Sequence, residues 1–363
     1  MPLSDRENYL RTAAMTGGEW VPCRIYLSGA MWDAYGKDLG EVVARHPIIF
    51  PGFKPDERDY ENWDFGLRQT AGRTFTDPWG CVWETEINGV VGQVVESPLA
   101  AWESLETYQP PDPRTHGHFD AIDWGDERQR VADGEAGGRL TTGGIDHGFL
   151  LMRLWYVRGF ENLMIDFATK EPRLGRLIER VAAHSRYRVH QYLQMGVDVM
   201  SFGEDLGTQT ASIISPADFR AWIAPAYRDL MRPCREAGMH VYLHSDGYVM
   251  ELMDILLDCG VSIINPQDLC NGIDALAREV KGRACIDLDI DRQRIVPFGT
   301  RQDIHDLIEE EVRKLGSPQG GLMMKAGVYP PTTPDNVDAL CCAMEEFRTY
   351  WFDGRNADFH SLS

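Results

Sequence analysis

The 363-residue sequence contains no uncharged apolar run approaching 18 residues, so no segment reads as a membrane-spanning helix. Basic residues are scarce: 36 Lys and Arg against 56 Asp and Glu give a net charge of −20. That balance leaves no basic footprint for nucleic acid or an anionic membrane, and it fits solubility or a partner with a basic face. The eight cysteines form no CxxC pair and no regular spacing. This excludes a Cys-only zinc site and a disulfide framework, and predicts reduced, mostly buried thiols. GxGxxG, Walker and GxSxG patterns are also missing, which removes nucleotide loops and a serine nucleophile elbow. The opening MPLSDRENYLRTAAM has charges at Asp5, Arg6, Glu7 and Arg11 and no signal-type apolar region, so a cytoplasmic location is expected. There is no clean linker and no internal repeat.

What is present is an ordinary globular composition, 43% hydrophobic and 25% charged. From residue 172 onward, short apolar runs alternate with amphipathic segments. Helical spacing over 172–195 leads into a strand at Val197–Phe202. Ser215-Pro216-Ala217-Asp218 opens a helix that stops at Ala237-Gly238. Strands follow at Met239–Leu243, Val261–Ile264, Ala284–Leu288 and Leu322–Lys325. Helices are predicted at Tyr248–Asp258, Asp274–Val280 and Thr300–Leu315, and from Thr333-Pro334 to Tyr350. Such βα repetition predicts an α/β fold with parallel strands, here a (β/α)8 TIM barrel. Val21–Leu27 and Arg139–Gly143 supply earlier strands. Residues 29–137, rich in Gly, Pro and Trp with little periodicity, read as a cap over the barrel mouth. The whole chain, 1–363, is expected to be one domain.

Barrel active sites lie at the C-terminal strand ends. Those ends deliver Gly203-Glu204-Asp205, His244-Ser245-Asp246-Gly247, Asn265-Pro266-Gln267-Asp268, Asp287-Leu288-Asp289 and Lys325 to one rim. An imidazole among carboxylates there could bind a divalent metal, zinc in an N/O site above all. Asp could equally orient His244 as a general acid or base, or His244 could serve only the Gly247 turn, with Asp246 capping the next helix. Glu204, Asp205, His244 and Asp246 are therefore the catalytic candidates, and His244, Glu204 and Asp246 the metal candidates. Asn265, Gln267, Asp289 and Lys325, with Tyr26 on the first strand, are candidate substrate contacts. His240 sits at the wrong end of its strand and should pack. His116, His118 and His147 fall in loops; His147, just past Thr141–Gly144, could still reach the rim. In the cap, Trp79 and Trp83 within Phe75–Glu84, with Trp32, Tyr35 and Trp63 upstream, are either core or an apolar slot for a flat substrate.

Several segments resemble the uroporphyrinogen decarboxylase superfamily: Asp205–Gln209, Ile214-Ser215-Pro216, Gly238 with His244–Gly247, and Gly260-Val261 with Asn265–Gln267. Asp291 with Pro297–Thr300, Pro334–Val337, and Arg6-Glu7-Asn8 with Val21-Pro22 continue the likeness in order. The resemblance implies a TIM barrel with a deep catalytic cleft, and two activities: porphyrinogen decarboxylation or corrinoid-linked methyl transfer. The decarboxylase signature Arg-Gln-Ala-Gly-Arg is replaced here by Arg24-Ile25-Tyr26-Leu27-Ser28, and no His follows Lys325-Ala326-Gly327. The zinc ligands of the methyltransferases, His-x-Cys and a later Cys, become His244, Asp246 and Ala326. What the resemblance implies is thus a corrinoid-dependent demethylase-type methyltransferase with an oxygen-rich metal site and a methoxylated aromatic among its substrates. It further implies zinc, a corrinoid (cobalamin) on a partner protein, and a homodimer. The alternatives are a decarboxylase or lyase of another acid, and a non-catalytic barrel that binds a corrinoid or tetrapyrrole.

Overall fold

The structure is a computed structural model that describes residues 2–60 and 64–354; Trp63 lies outside the described residues. Seven strands pair in parallel and alternate with helices: β1 (Cys23–Leu27), β5 (Thr142–Gly144), β6 (Val199–Asp205), β7 (His240–Asp246), β8 (Ile263–Pro266), β9 (Cys285–Asp289) and β10 (Leu322–Val328). The intervening β2 (Arg73–Thr76), β3 (Val82–Thr85) and β4 (Gln93–Glu96) form a separate antiparallel sheet in that order. The α/β pattern expected from the sequence is present, with seven parallel strands among the described residues.

The chain divides into two compact units. One comprises Met1–Gly66, Asn88–Val90 and Pro266–Ser363; the other, Leu67–Ile87 and Val91–Asn265. The first carries the strand order β1-β10-β9. Helix Arg301–Leu315 in this unit starts on a capping box: Thr300 Oγ1 accepts from Asp303 N, and the Asp303 carboxylate accepts from Thr300 N. Its inward face, Ile304, Leu307, Ile308, Val312 and Leu315, is buried. Helix Pro334–Phe347 packs beside it, three residues shorter than the sequence suggests.

The second unit carries β8-β7-β6-β5. Helix Leu174–Met195 ends where Gly196 adopts φ 71°, and the next residues enter β6. The helix predicted from Ser215 is interrupted by a π turn at Phe219–Ile223. Pro225 explains it, because a ring nitrogen without N–H removes one rung of the ladder. On β6, Phe202 turns toward the helices and meets Phe149, whose ring also touches Tyr227. Strand alternation then sends Ser201, Gly203 and Asp205 to the opposite face.

The span 29–137 holds more regular structure than its composition suggests. Gly29–Arg45 is a helix kinked at Gly36, where φ is 44°, and Trp124–Ala136 is another, capped by Asp123. Glycines at 36 and 40 and a sparse apolar stripe near 124 hide both from a periodicity search. All eight cysteines are free thiols and five of them are buried.

Candidate active site

The register of β6 on β7 sets Gly203 opposite His244 and Asp205 opposite Asp246. The loops beyond these strands are fastened together. Leu206 N donates to Ser245 Oγ at 3.0 Å, and Tyr248 N donates to Thr208 O at 2.7 Å. Gly247, with φ at 79°, lies so close that an added Cβ would stand 2.1 Å from Gly207 O. The Ser245-Asp246-Gly247 run therefore shapes the rim.

His147 completes the site from the segment after β5. Its ring lies over Gly203, whose missing Cβ leaves the room it needs. His147 Nε2 is 3.1 Å from Asp205 Oδ1, and the His147 and His244 ring centroids are 5.5 Å apart. One ligand atom from each of His147, Asp205 and His244 lies within 4.8 Å of the others. His244 Nδ1 is 2.7 Å from Asn265 Oδ1, and its Nε2 is 3.3 Å from Asp246 Oδ1. Burial by itself disfavours the His147 imidazolium, but the adjacent Asp205 carboxylate, with Glu204 and Asp246 behind it, raises the His147 pKa above its ordinary value.

Glu204 points the other way. Its carboxylate is fully buried and accepts from the amides of Leu150, Leu151 (3.0 Å) and Met152 (2.9 Å), the start of helix Leu151–Arg158. Burial pushes its carboxyl up to about 7, against the pull of the Met152 and Leu150 amides. Glu204 thus serves a helix N-terminus, while its neighbour Asp205 faces His147.

The remaining candidates are dispersed. Trp79 and Trp83 are only 1% and 2% exposed. They pack around the buried Arg153–Asp77 ion pair (2.8 Å), and Trp83 Nε1 donates to Asp77 Oδ2 at 3.0 Å. Asn265 is fully buried against His244. Tyr26, Gln267, Asp289 and Lys325 belong to the first unit, where Tyr26 is exposed and Gln267 and Asp289 are buried. Burial, then the charge of Arg24, pulls the Lys325 ammonium below the usual lysine range. His147, which the sequence sets just past the Thr141–Gly144 strand end, stands three positions beyond β5 and beside Asp205 and His244.

The chain matches the family model described as uroporphyrinogen decarboxylase (URO-D) over residues 82–347. No curated protein matches the sequence. Among solved structures, it resembles a methyltransferase from Methanosarcina mazei with a TM-score of 0.61 at 16% identity, covering 94% of this chain and 98% of that one. A B12-independent methionine synthase from Shewanella sp. W3-18-1 aligns with a TM-score of 0.43 at 9% identity, covering 68% and 70%. The likeness to the Methanosarcina structure extends over nearly the full fold, and with the family match over most of its length the chain belongs to the uroporphyrinogen decarboxylase family.

Proposed function

We propose that this protein is a methyltransferase that takes a methyl group from a small methoxylated substrate, with zinc held by His147, Asp205 and His244. The carrying observation is the convergence of two imidazoles and a carboxylate at the C-terminal ends of β6 and β7. Likeness to the Methanosarcina methyltransferase over 98% of that chain supports it. We read the seven parallel strands as belonging to a (β/α)8 barrel, and the methyl acceptor as a corrinoid carried by a partner protein.

The donor set fits zinc on its own chemistry. Two nitrogens and an oxygen are a catalytic rather than a structural complement, since a fourth position stays open for substrate. Asp205 Oδ1 is shielded from solvent beside His147 Nε2, with no N–H directed squarely at it, so its lone pairs face a cation's position between the two rings rather than bulk water. Zinc there would polarise the ether oxygen and favour the departing alkoxide or phenolate. Asp205 lies on the face of β6 that carries Gly203, over which the His147 ring passes, and Asp246 stands beside His244 Nε2.

A second reading, metal-free acid–base chemistry in a lyase or decarboxylase, is favoured by one feature: each imidazole has its own carboxylate, His147 with Asp205 and His244 with Asp246. The deciding experiment follows methyl transfer from methoxylated aromatics to a reduced corrinoid protein, with zinc-loaded and chelator-stripped enzyme. Zinc-dependent transfer, lost in His244→Ala, supports the proposal. Turnover of an acid substrate by the stripped enzyme, with no methyl transfer in either form, would replace it with the second reading.

A further inference from the structure

The two ring nitrogens of His244 face competing partners. Nδ1 meets the side-chain oxygen of Asn265 at 2.7 Å, and Nε2 meets Asp246 Oδ1 at 3.3 Å. A neutral imidazole carries a single N–H, and an amide oxygen can only accept. If the hydrogen sits on Nδ1, it is donated to Asn265 Oδ1 and Nε2 presents a lone pair. If it sits on Nε2, the hydrogen goes to Asp246, and the nitrogen that a metal needs is occupied.

Geometry favours the first arrangement. The Asn265 contact is 0.6 Å shorter (3.3 against 2.7 Å). Asn265 is fully buried at the end of β8, whereas the Asp246 side chain is 37% exposed and can satisfy itself with water. A hydrogen bond to an oxygen shielded from water outweighs one to a carboxylate that water can reach. An amide at 265 also settles the tautomer without adding a third carboxylate to a site that already holds Asp205 and Asp246.

We propose that Asn265 is a positioning residue that locks His244 in its Nδ1–H tautomer, keeping Nε2 free of hydrogen against the pull of Asp246. Its consequence for zinc rests on the metal-binding reading above, but the tautomer is a property of the chain alone. It is therefore read first on metal-free protein. In long-range proton–nitrogen NMR spectra of histidine-labelled chain at alkaline pH, with His244 assigned by its loss in His244→Gln, the wild type is expected to show hydrogen on Nδ1. Asn265→Leu should move it to Nε2, and Asn265→Asp, which restores an accepting oxygen, should return it to Nδ1. Zinc affinity, measured by competition with a chromophoric chelator, should fall about 10–100-fold in Asn265→Leu and recover in Asn265→Asp.

Asn265→Ser, too short to reach the ring, carries the same expectation if the leucine variant does not fold. A wild-type ring protonated on Nε2, or a folded leucine or serine variant that keeps the wild-type tautomer, overturns the proposal. A wild type with the expected tautomer but no affinity for zinc would uphold the role of Asn265 and defeat the metal site instead.

Discussion

The approach of the His147 ring to β6 yields the sharpest test. At Gly203 the His147 ring passes so near the strand that a Cβ would stand 2.9 Å from His147 Cδ2. Carbon contacts begin at about 3.4 Å, so Gly203→Ala requires a displacement of about 0.5 Å, and the strand is held on β7 by the Gly203–His244 pairing. The ring must therefore yield, taking its Nε2 away from Asp205. The backbone at 203 lies outside the left-handed region, so alanine brings little conformational strain. The expected cost in stability is that of modest overpacking, about 1–3 kcal/mol. Zinc affinity should fall much further in relative terms, about tenfold or more, because one of three ligands is displaced. Chelator competition measures the affinity and urea unfolding the stability. A folded Gly203→Ala protein with wild-type zinc affinity would refute the placement of His147 as a ligand.

Other consequences follow from buried charge. Glu204→Ala orphans three buried amides at roughly 1–3 kcal/mol each before water relieves some of the loss, so urea unfolding should show a deficit of about 4 kcal/mol. Glu204→Gln, which keeps one acceptor, should lose less than half of that; equal losses would show that the carboxylate does not anchor the helix. Arg153→Met leaves Asp77 as an unpaired buried charge and should cost about 3–5 kcal/mol in the same assay. Glu311 is fully buried, and no described N–H or hydroxyl donates to either oxygen; burial holds its pKa well above the ordinary value, so it stays protonated and shares that hydrogen with Asp268. A raised folded-state pKa means the contribution to stability is complete below the unfolded value, about pH 4.3, and is lost as pH rises. Glu311→Gln, which still donates to Asp268, should therefore gain on the wild type from about pH 4.5 upward; parallel stability–pH curves for the two proteins would contradict it.

Much of this was legible from periodicity. The alternation after residue 172 located β6 to β10 within a few residues, because each strand is a short apolar run between capped helices. The span 29–137 hid two helices and a small sheet, since glycines within a helix and four-residue strands leave no clean period. In the site, the rim motifs pointed to His244, Asp205 and Asp246. Strand alternation alone would have separated Glu204 from Asp205, because consecutive residues on β6 face opposite sides. His147 was hard to find, as its place depends on a loop crossing a glycine on the next strand, a contact between positions 56 residues apart. Trp79 and Trp83 suited either the core or a substrate slot, with the core the commoner place for such rings. Their packing around Arg153 and Asp77 is a tertiary fact that the local sequence does not encode.

The most direct test of the metal-site proposal is the zinc content of untagged protein after supply of zinc and removal of excess, by mass spectrometry. The wild type and Glu204→Gln should each retain near-stoichiometric zinc, while His147→Ala, Asp205→Ala and His244→Ala should lose it with their folds intact. A wild type that holds no zinc, or a His147→Ala protein that holds it as well as wild type does while Glu204→Gln loses it, would contradict the site described above.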